Sequence, residues 1–358
     1  MIDVFLFLFG IVALGELAQY TGVFEWLAGE IACAARGSGL ALFTALYLLG
    51  AIMTMFLSND TTAVILTPAV LAVARAARVN ALPPLYACAF IANAASFTLP
   101  ISNPANLVVF GGRLPPLMPW LGTFTPSSLV AVAGTYLALL VMFRAEIMRS
   151  YEMPSDRVAL SQTGRLTSWL LMISSVILVW AAAEGWHVGV TAFASAIACT
   201  GWISTYDRGA VPFILRHSAW KIVLLVAALF ALVSAIDHFG GLALVRSGAT
   251  AAANMGFPAG AWLVGAAVTL ASSAINNLPV ALAGEVAFQT LDLAPWVTHA
   301  MVVAVDLGPN LAISASLATL IWAGHLRRGG IAIRWWQFMR AGAVVTLPTL
   351  ALALLLLR

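Results

Sequence analysis

Two carboxylates stand where the neighbouring sequence offers them no water. Asp60 lies in FLSNDTTAVILTP (56–68) and Asp306 in VDLGPNLAISASLATL (305–320). A charged side chain at the centre of a bilayer costs ~2.5–3.5 kcal/mol on insertion scales. A chain that keeps two of them has a use for a group that can bind a solute or carry a proton. Other polar residues collect beside each carboxylate: Ser58, Asn59, Thr61 and Thr62 around Asp60, and Gly308, Asn310 and Ser316 after Asp306. A stretch of the same shape, SSAINNLPVALAG (272–284), puts Asn276 and Asn277 in the polar slot, and ANAASFTLPISNPANL (92–107) adds Asn93, Ser102, Asn103 and Asn106. Hydroxyls, amides and carboxylates together can bind a small polar solute or an ion. Asp60 and Asp306 are the candidate proton carriers. The breaks at Ser102-Asn103-Pro104 and Leu307-Gly308-Pro309 would bring helix ends and their partial charges to the same place.

A plainer reading competes at every position. Intramembrane Asn, Ser and Thr often only join helices, at ~0.6 kcal/mol each. Two matched clusters with aspartates and Pro-Asn breaks favour a transport site over such struts. Glu16, Glu285 and Asp292 are weaker candidates, near the membrane surfaces, and the five histidines show no ligand spacing. Cys33, Cys88 and Cys199 are far apart and support neither a disulfide framework nor a thiolate metal site. Without a Walker signature the chain has no ATPase of its own. No metal or cofactor is expected.

The elements that must position these groups are membrane helices. Hydrophobic residues make up 62% of the 358, charged residues 9%, and the mean hydropathy is +0.99. Soluble domains are near half apolar and a quarter charged, so this is a polytopic membrane protein. A net charge of +3, with the arginines in loops, argues against a nucleic-acid partner. Apolar runs predict spans at about 3–20, 126–143, 168–184, 188–204, 221–237 and 341–357. The first run carries Asp3 and no basic leader, so it reads as a retained helix. Two re-entrant hairpins are expected at about 40–74 and 259–291, each half too short for a full crossing, and two broken helices at about 85–111 and 296–324. The hairpin tips should face each other across one shared site.

Basic residues set the orientation. Arg36, Arg75 and Arg78 flank the first hairpin. Further groups are Arg144, Arg149, Arg157 and Arg165, then Arg208, Arg216 and Lys221, then Arg327, Arg328, Arg334 and Arg340. Only Arg113 and Arg246 fall in the other loops. The positive-inside rule puts the rich groups in the cytoplasm and the open end of the second hairpin outside, with Arg358. Opposed hairpins imply an inverted repeat. Gly22 sets against Gly241, Asn59 against Asn276 and Asn93 against Asp306, at offsets of 219, 217 and 213. The expected organisation is a first repeat over 1–144, a cytoplasmic linker over 145–167 and a second repeat over 168–358. The fold class is all-α, an inverted repeat with two re-entrant hairpins and two discontinuous helices. N-terminal scaffold helices, counterparts of 168–184 and 188–204, are expected to be lacking.

FLSNDTTAVILTP, SSAINNLPVALAGEVAF, VDLGPNLAISASLATLIW and the closing GGIAIRWWQFMRAGAVVTLPTLALALLLL resemble the arsenical pump membrane proteins (ArsB type) of the ion transporter superfamily. The resemblance covers nearly the whole chain. It implies a multi-pass inner (plasma) membrane protein that exports arsenite and antimonite in exchange for protons, in some members with a soluble ATPase subunit. A homodimer is compatible with it. This chain departs from the family pattern at Asn93, where members carry Asp, and at Val305, where they carry Cys. It departs again at Asn310, where they carry Lys, and over Ala312-Ile313-Ser314-Ala315. The stretch SNPANLVVF leans toward other branches of the superfamily. These departures bear on the substrate more than on the fold. A sodium/proton antiporter or a carboxylate or inorganic anion carrier is the alternative within the class. An intramembrane aspartyl protease would need Tyr-Asp and Gly-x-Gly-Asp signatures that the sequence lacks, and an inactive, shortened member is the remaining alternative.

Overall fold

A segment in lipid must bond its own backbone polar groups, and the helix is one of two ways to do so. The computed structural model is accordingly almost wholly helical across the residues it describes, 2–152, 159–217 and 220–357. Arg157 and Arg358 lie outside the described residues, as do the side chains of His217 and Lys221. In chain order the first set of helices is α1 (Ile2–Tyr20), α2 (Val23–Ala34), α3 (Gly39–Leu57), α4 (Asn59–Ala76), α5 (Leu82–Ala94), a 3-10 turn Pro100–Ser102, α6 (Pro104–Val109) and α7 (Leu117–Met142). Then come α8 (Arg144–Ile147), α9 (Gln162–Ala183), α10 (Val188–Ser204) and α11 (Ala210–His217). The last set is α12 (Trp220–His238), α13 (Ala243–Met255), α14 (Ala259–Ile275), α15 (Asn277–Phe288) and α16 (Pro295–Leu307), then 3-10 turns Gly308–Leu311 and Ile313–Ala315, α17 (Leu317–Arg328) and α18 (Trp335–Leu355).

Among the described residues, α1, α3, α7, α9 and α18 are long and apolar enough to cross a membrane, and α12 with α13, bent by 81°, makes up to a sixth such span. Two expectations change. α3, at 19 residues, is itself long enough for a crossing, whereas α4, α14 and α15 have 18, 17 and 12 residues. The span foreseen at 188–204 is a 17-residue helix, short of that length.

The order of elements recurs. In each set a long helix is followed by a short one, a helical hairpin, a helix broken by 3-10 turns and a closing helix. The positive-φ glycines that turn the first helix into the second are Gly22 (φ 72°) and Gly240 (φ 75°), so Gly240 rather than Gly241 is the counterpart of Gly22. The hairpins turn on Ser58 (φ 87°, ψ 158°) and Asn276 (φ 123°, ψ 151°). The structural match to Asn276 is therefore Ser58, one residue before Asn59. Both sit in a backbone region that is nearly reserved for glycine and costs ~1–3 kcal/mol per residue elsewhere.

Each hairpin packs across the repeat boundary. α4 lies along α17, and α15 lies along α6, so each hairpin rests on the far half of the other set's broken helix. An aromatic cluster of Tyr86, Phe90, Trp322 and Phe338 clamps α5, α17 and α18 together, and Trp322 Nε1 donates to the Leu85 carbonyl at 2.7 Å. Small residues permit close approach where backbones touch: a side chain at Gly10 of α1 would strike the backbone of Ala192 on α10. The arginine-bearing ends share one face of the molecule. Arg75 donates to the Gly329 carbonyl at 2.8 Å, Arg78 pairs with Glu152 at 3.4 Å, and the Tyr151 N–H donates to the Gly37 carbonyl at 2.9 Å.

Candidate functional site

The site is built where the two broken helices meet. α5 stops at Ala94, and the chain turns through Pro100–Ser102 before Asn103 caps α6, its Oδ1 accepting from the Ala105 N–H at 2.9 Å. Asn at N-cap with Pro at N1 is the usual chemistry of a helix start. α16 stops at Leu307 before Gly308-Pro309, and α17 restarts under a reciprocal cap between Ser316 and Thr319. The breaks then bond to each other. Asn93 Nδ2 donates to Asn310 Oδ1 at 2.8 Å, and Asn103 Nδ2 donates to Asp306 Oδ1. Asn93, Asn106, Asp306 and Asn310 are all 0% exposed. With 13 residues each, α5 and α16 put the crossing ~20 Å from where they start.

Both hairpin tips are tied to the breaks. Ser102 Oγ donates to the Met55 carbonyl at 3.0 Å, tying the first tip to the first break. Asn276 Nδ2 donates to the Ser314 carbonyl at 3.2 Å and Ser273 Oγ to the Gly308 carbonyl at 3.3 Å, tying the second tip to the second break. The remaining polar groups of the first tip bond among themselves: Ser58 with Thr61, Thr62 with Thr54 and with the Ser58 carbonyl, and Asn59 Oδ1 with the Asp60 N–H. Among the described residues no side-chain hydrogen bond joins one tip to the other. Each tip is bonded to the broken helix of its own set.

The two carboxylates have different surroundings. Asp60 is directed at the backbone N–H of Ala318, in the first turn of α17, where unpaired N–H groups and the helix dipole favour an anion. Asp306 stands in the last turn of α16, with Asn103 and the Ser96 hydroxyl as its partners. Among the described residues the ion pairs are Arg78–Glu152, His187–Asp3 and Arg246–Asp237, and none includes Asp60 or Asp306. Nor does a hydrogen bond join the two aspartates, so the proton-sharing geometry of a protease dyad is not formed.

Of the residues expected at the site, Asn93, Asn103, Asn106, Asp306 and Asn310 come together at the crossing, and Ser102, Gly308 and Ser316 are in the breaks beside it. Ser58, Asn59, Asp60, Thr61 and Thr62 form one tip; Asn276 and Asn277 begin the other. Sequence reasoning missed Ser96. It is 0% exposed, donates to the Asn93 carbonyl at 2.7 Å and accepts from Asn106 Nδ2 on its own carbonyl at 2.9 Å. Its place one turn after Asn93 was the available signal. A crevice of about 390 Å³ runs along α17 from Ala312 and Ser314 at the break, past Leu320 and Ala323, to Arg327 and Trp335 at the arginine-bearing face. The cysteines are on α2, α5 and α10, three separate helices.

The profile of the family described as arsenical pump membrane protein matches residues 2–358. The chain is similar to the arsenical pump membrane protein of Escherichia coli (strain K12), 29% identical over 361 residues, which is 96% of this chain and 83% of that protein. The arsenical pump membrane protein of Yersinia enterocolitica is 28% identical over 366 residues, with the same coverage of 96% and 83%. An uncharacterized transporter of Mycobacterium tuberculosis (strain ATCC 25618 / H37Rv) is 26% identical over 364 residues, 98% of this chain and 84% of that protein.

Proposed function

This chain belongs to the arsenical pump membrane protein family, and from that premise we propose that it exports arsenite and antimonite across the inner (plasma) membrane in exchange for protons. It is a multi-pass membrane transporter and not an enzyme. The observation that carries the finer reading is the buried meeting of amide, hydroxyl and carboxylate groups at the two helix breaks, with no ion pair on either aspartate. At neutral pH arsenite is largely the uncharged trihydroxide, which needs hydrogen-bond donors and acceptors rather than a counter-charge. Cysteines on separate helices suit release, because several thiols on one trivalent arsenic would hold it too tightly.

In this reading Asp306 and Asp60 take up and release the coupling protons, and the hairpin tips move with the solute. The positive-inside rule puts the arginine-bearing face in the cytoplasm, so the crevice along α17 is the inward route to the second break. Arsenite uptake into everted membrane vesicles tests the proposal. Uptake should rise when a proton gradient is imposed and collapse with a protonophore. Vesicles that accumulate no more arsenite than vesicles without the protein would overturn it.

A further inference from the structure

The crevice along α17 has a lining that a polar solute alone would not require. Apart from Ser314 at its inner end and Arg327 at its mouth, every side chain that lines it is aliphatic, aromatic or methionine. Leu320, Ala323 and Arg327 recur at helical spacing on α17, so an apolar stripe ends in a guanidinium. Trp335 and Met339, one turn apart on α18, belong to the opposite wall. Trp322 adds only its ring, because its one donor is taken by the Leu85 carbonyl. Leu320 is 44% exposed and Met339 41%, so the crevice is open along its side as well as at its mouth. With 12 residues α17 is ~18 Å long, close to the ~15 Å of hydrocarbon in one leaflet. A slot of this polarity and length suits an acyl chain.

The mouth carries the charge that a lipid headgroup would complement. Arg327, Arg328, Arg334 and Arg340 are exposed, and Arg75 joins them through its bond to the Gly329 carbonyl. After Asp306 the chain contains no Asp or Glu. Among the described residues no ion pair includes any of these five arginines. Arg340 lies over the Trp336 ring at 5.5 Å, and Trp335 is 68% exposed. Tryptophan and arginine together mark the level of the headgroups. An acidic protein segment would use the arginines and leave the slot empty, whereas an anionic lipid uses both.

We propose that the crevice between α17 and α18 binds one anionic phospholipid of the cytoplasmic leaflet. Its phosphate lies at Arg327 and Arg334, and one acyl chain runs along Leu320, Ala323 and Met339. Basic pockets between membrane helices on that side recognise such headgroups. The consequence for transport rests on the export reading above: a chain in the crevice shuts the inward route, so solute passes only when the lipid withdraws.

The test reads binding on the purified full-length protein in detergent, with no arsenite present. Palmitoyl-oleoyl phosphatidylglycerol, or the phosphatidylcholine with the same chains, is titrated while the thermal unfolding midpoint is followed. A ligand that binds only the folded state raises the midpoint saturably. Phosphatidylglycerol should do so at lower concentration than phosphatidylcholine, and glycerol phosphate, a headgroup without a tail, should have no effect. Arg327→Gln and Arg334→Gln should each raise the half-saturating phosphatidylglycerol concentration about fivefold. Ala323→Leu fills the slot and should weaken the response to both lipids; if it does not fold, Leu320→Phe narrows the slot from its open side to the same effect. Equal responses to the two lipids, or a phosphatidylglycerol response unchanged in the arginine variants, would overturn the site and leave the arginines to an acidic protein segment. A response unchanged in the slot variant that folds, or a midpoint raised by glycerol phosphate alone, would overturn it as well. Because arsenite is absent, failure of the lipid site and failure of export in vesicles are separate results.

Discussion

Asn93 donates its side-chain amide to Asn310 Oδ1 at 2.8 Å, joining two residues that are 217 positions apart in the chain. These are two of the positions at which the sequence departs from the family it resembles, where Asp and Lys are expected. The two departures meet in one contact, where the resemblance would set an acid beside a base. The partners are therefore coupled. Asn93→Asp or Asn310→Lys alone should lower stability by ~3–5 kcal/mol, because each leaves a buried charge without its opposite. The double variant should recover most of that loss. A double-mutant cycle on unfolding measures the coupling, and additive losses would show that the two positions act independently.

Asp306→Asn should abolish proton-driven uptake while leaving the protein folded in the membrane, because an asparagine oxygen can still accept from Asn103. Asp60→Asn removes the charge that faces the first turn of α17 and should slow uptake as well. Vesicle transport over a range of pH checks both. Wild-type rates in the two variants would remove the carboxylates from the coupling.

Ser58 and Asn276 hold a backbone conformation that glycine adopts freely. Ser58→Gly should stabilise the purified protein by up to ~1–3 kcal/mol through relief of strain, less what the lost hydroxyl contact to Thr61 contributed. Uptake should fall nonetheless, if the strain holds the tip in place for the solute. Thermal unfolding and transport, measured on the same preparation, separate the two effects.

Gly342 on α18 lies directly against the Asn310 carbonyl and Leu311, so that even a methyl group there would collide with backbone. Gly342→Leu should push α18 off the second break, lowering stability by ~1–3 kcal/mol or more. A variant as stable as wild type would show that the break can yield, and that the close approach has no role in fixing Asn310.

Single cysteines at positions 78 and 246 in a cysteine-free background should label from opposite sides of the membrane, given the arginine distribution. Labelling of both by an impermeant reagent from one side would contradict the inverted arrangement of the hairpins.

The elements were legible in the sequence because lipid leaves little choice. A long apolar run must be helical, and Gly, Pro and Asn clusters must interrupt it, so α1, α10 and the tips at 58 and 276 fall close to their expected places. The same constraint singled out Asp60 and Asp306, since a charge in such a run is too costly to be incidental. Partnerships were not legible. Nothing local to Asn93 says that its amide meets Asn310 rather than lining a cavity, and nothing local to Asp60 says that it faces the N–H of Ala318. Those contacts arise when α4 packs on α17 and α5 crosses α16, and packing between segments some two hundred residues apart depends on the shapes of both. Ser96 shows the same limit: its hydroxyl reads as one more polar atom until the fold sets Asp306 beside it. The offset of the tips slipped by one residue for a related reason. Matching residue types paired Asn59 with Asn276, whereas the backbone pairs Ser58 with Asn276, because the turn demands a conformation and not a side chain.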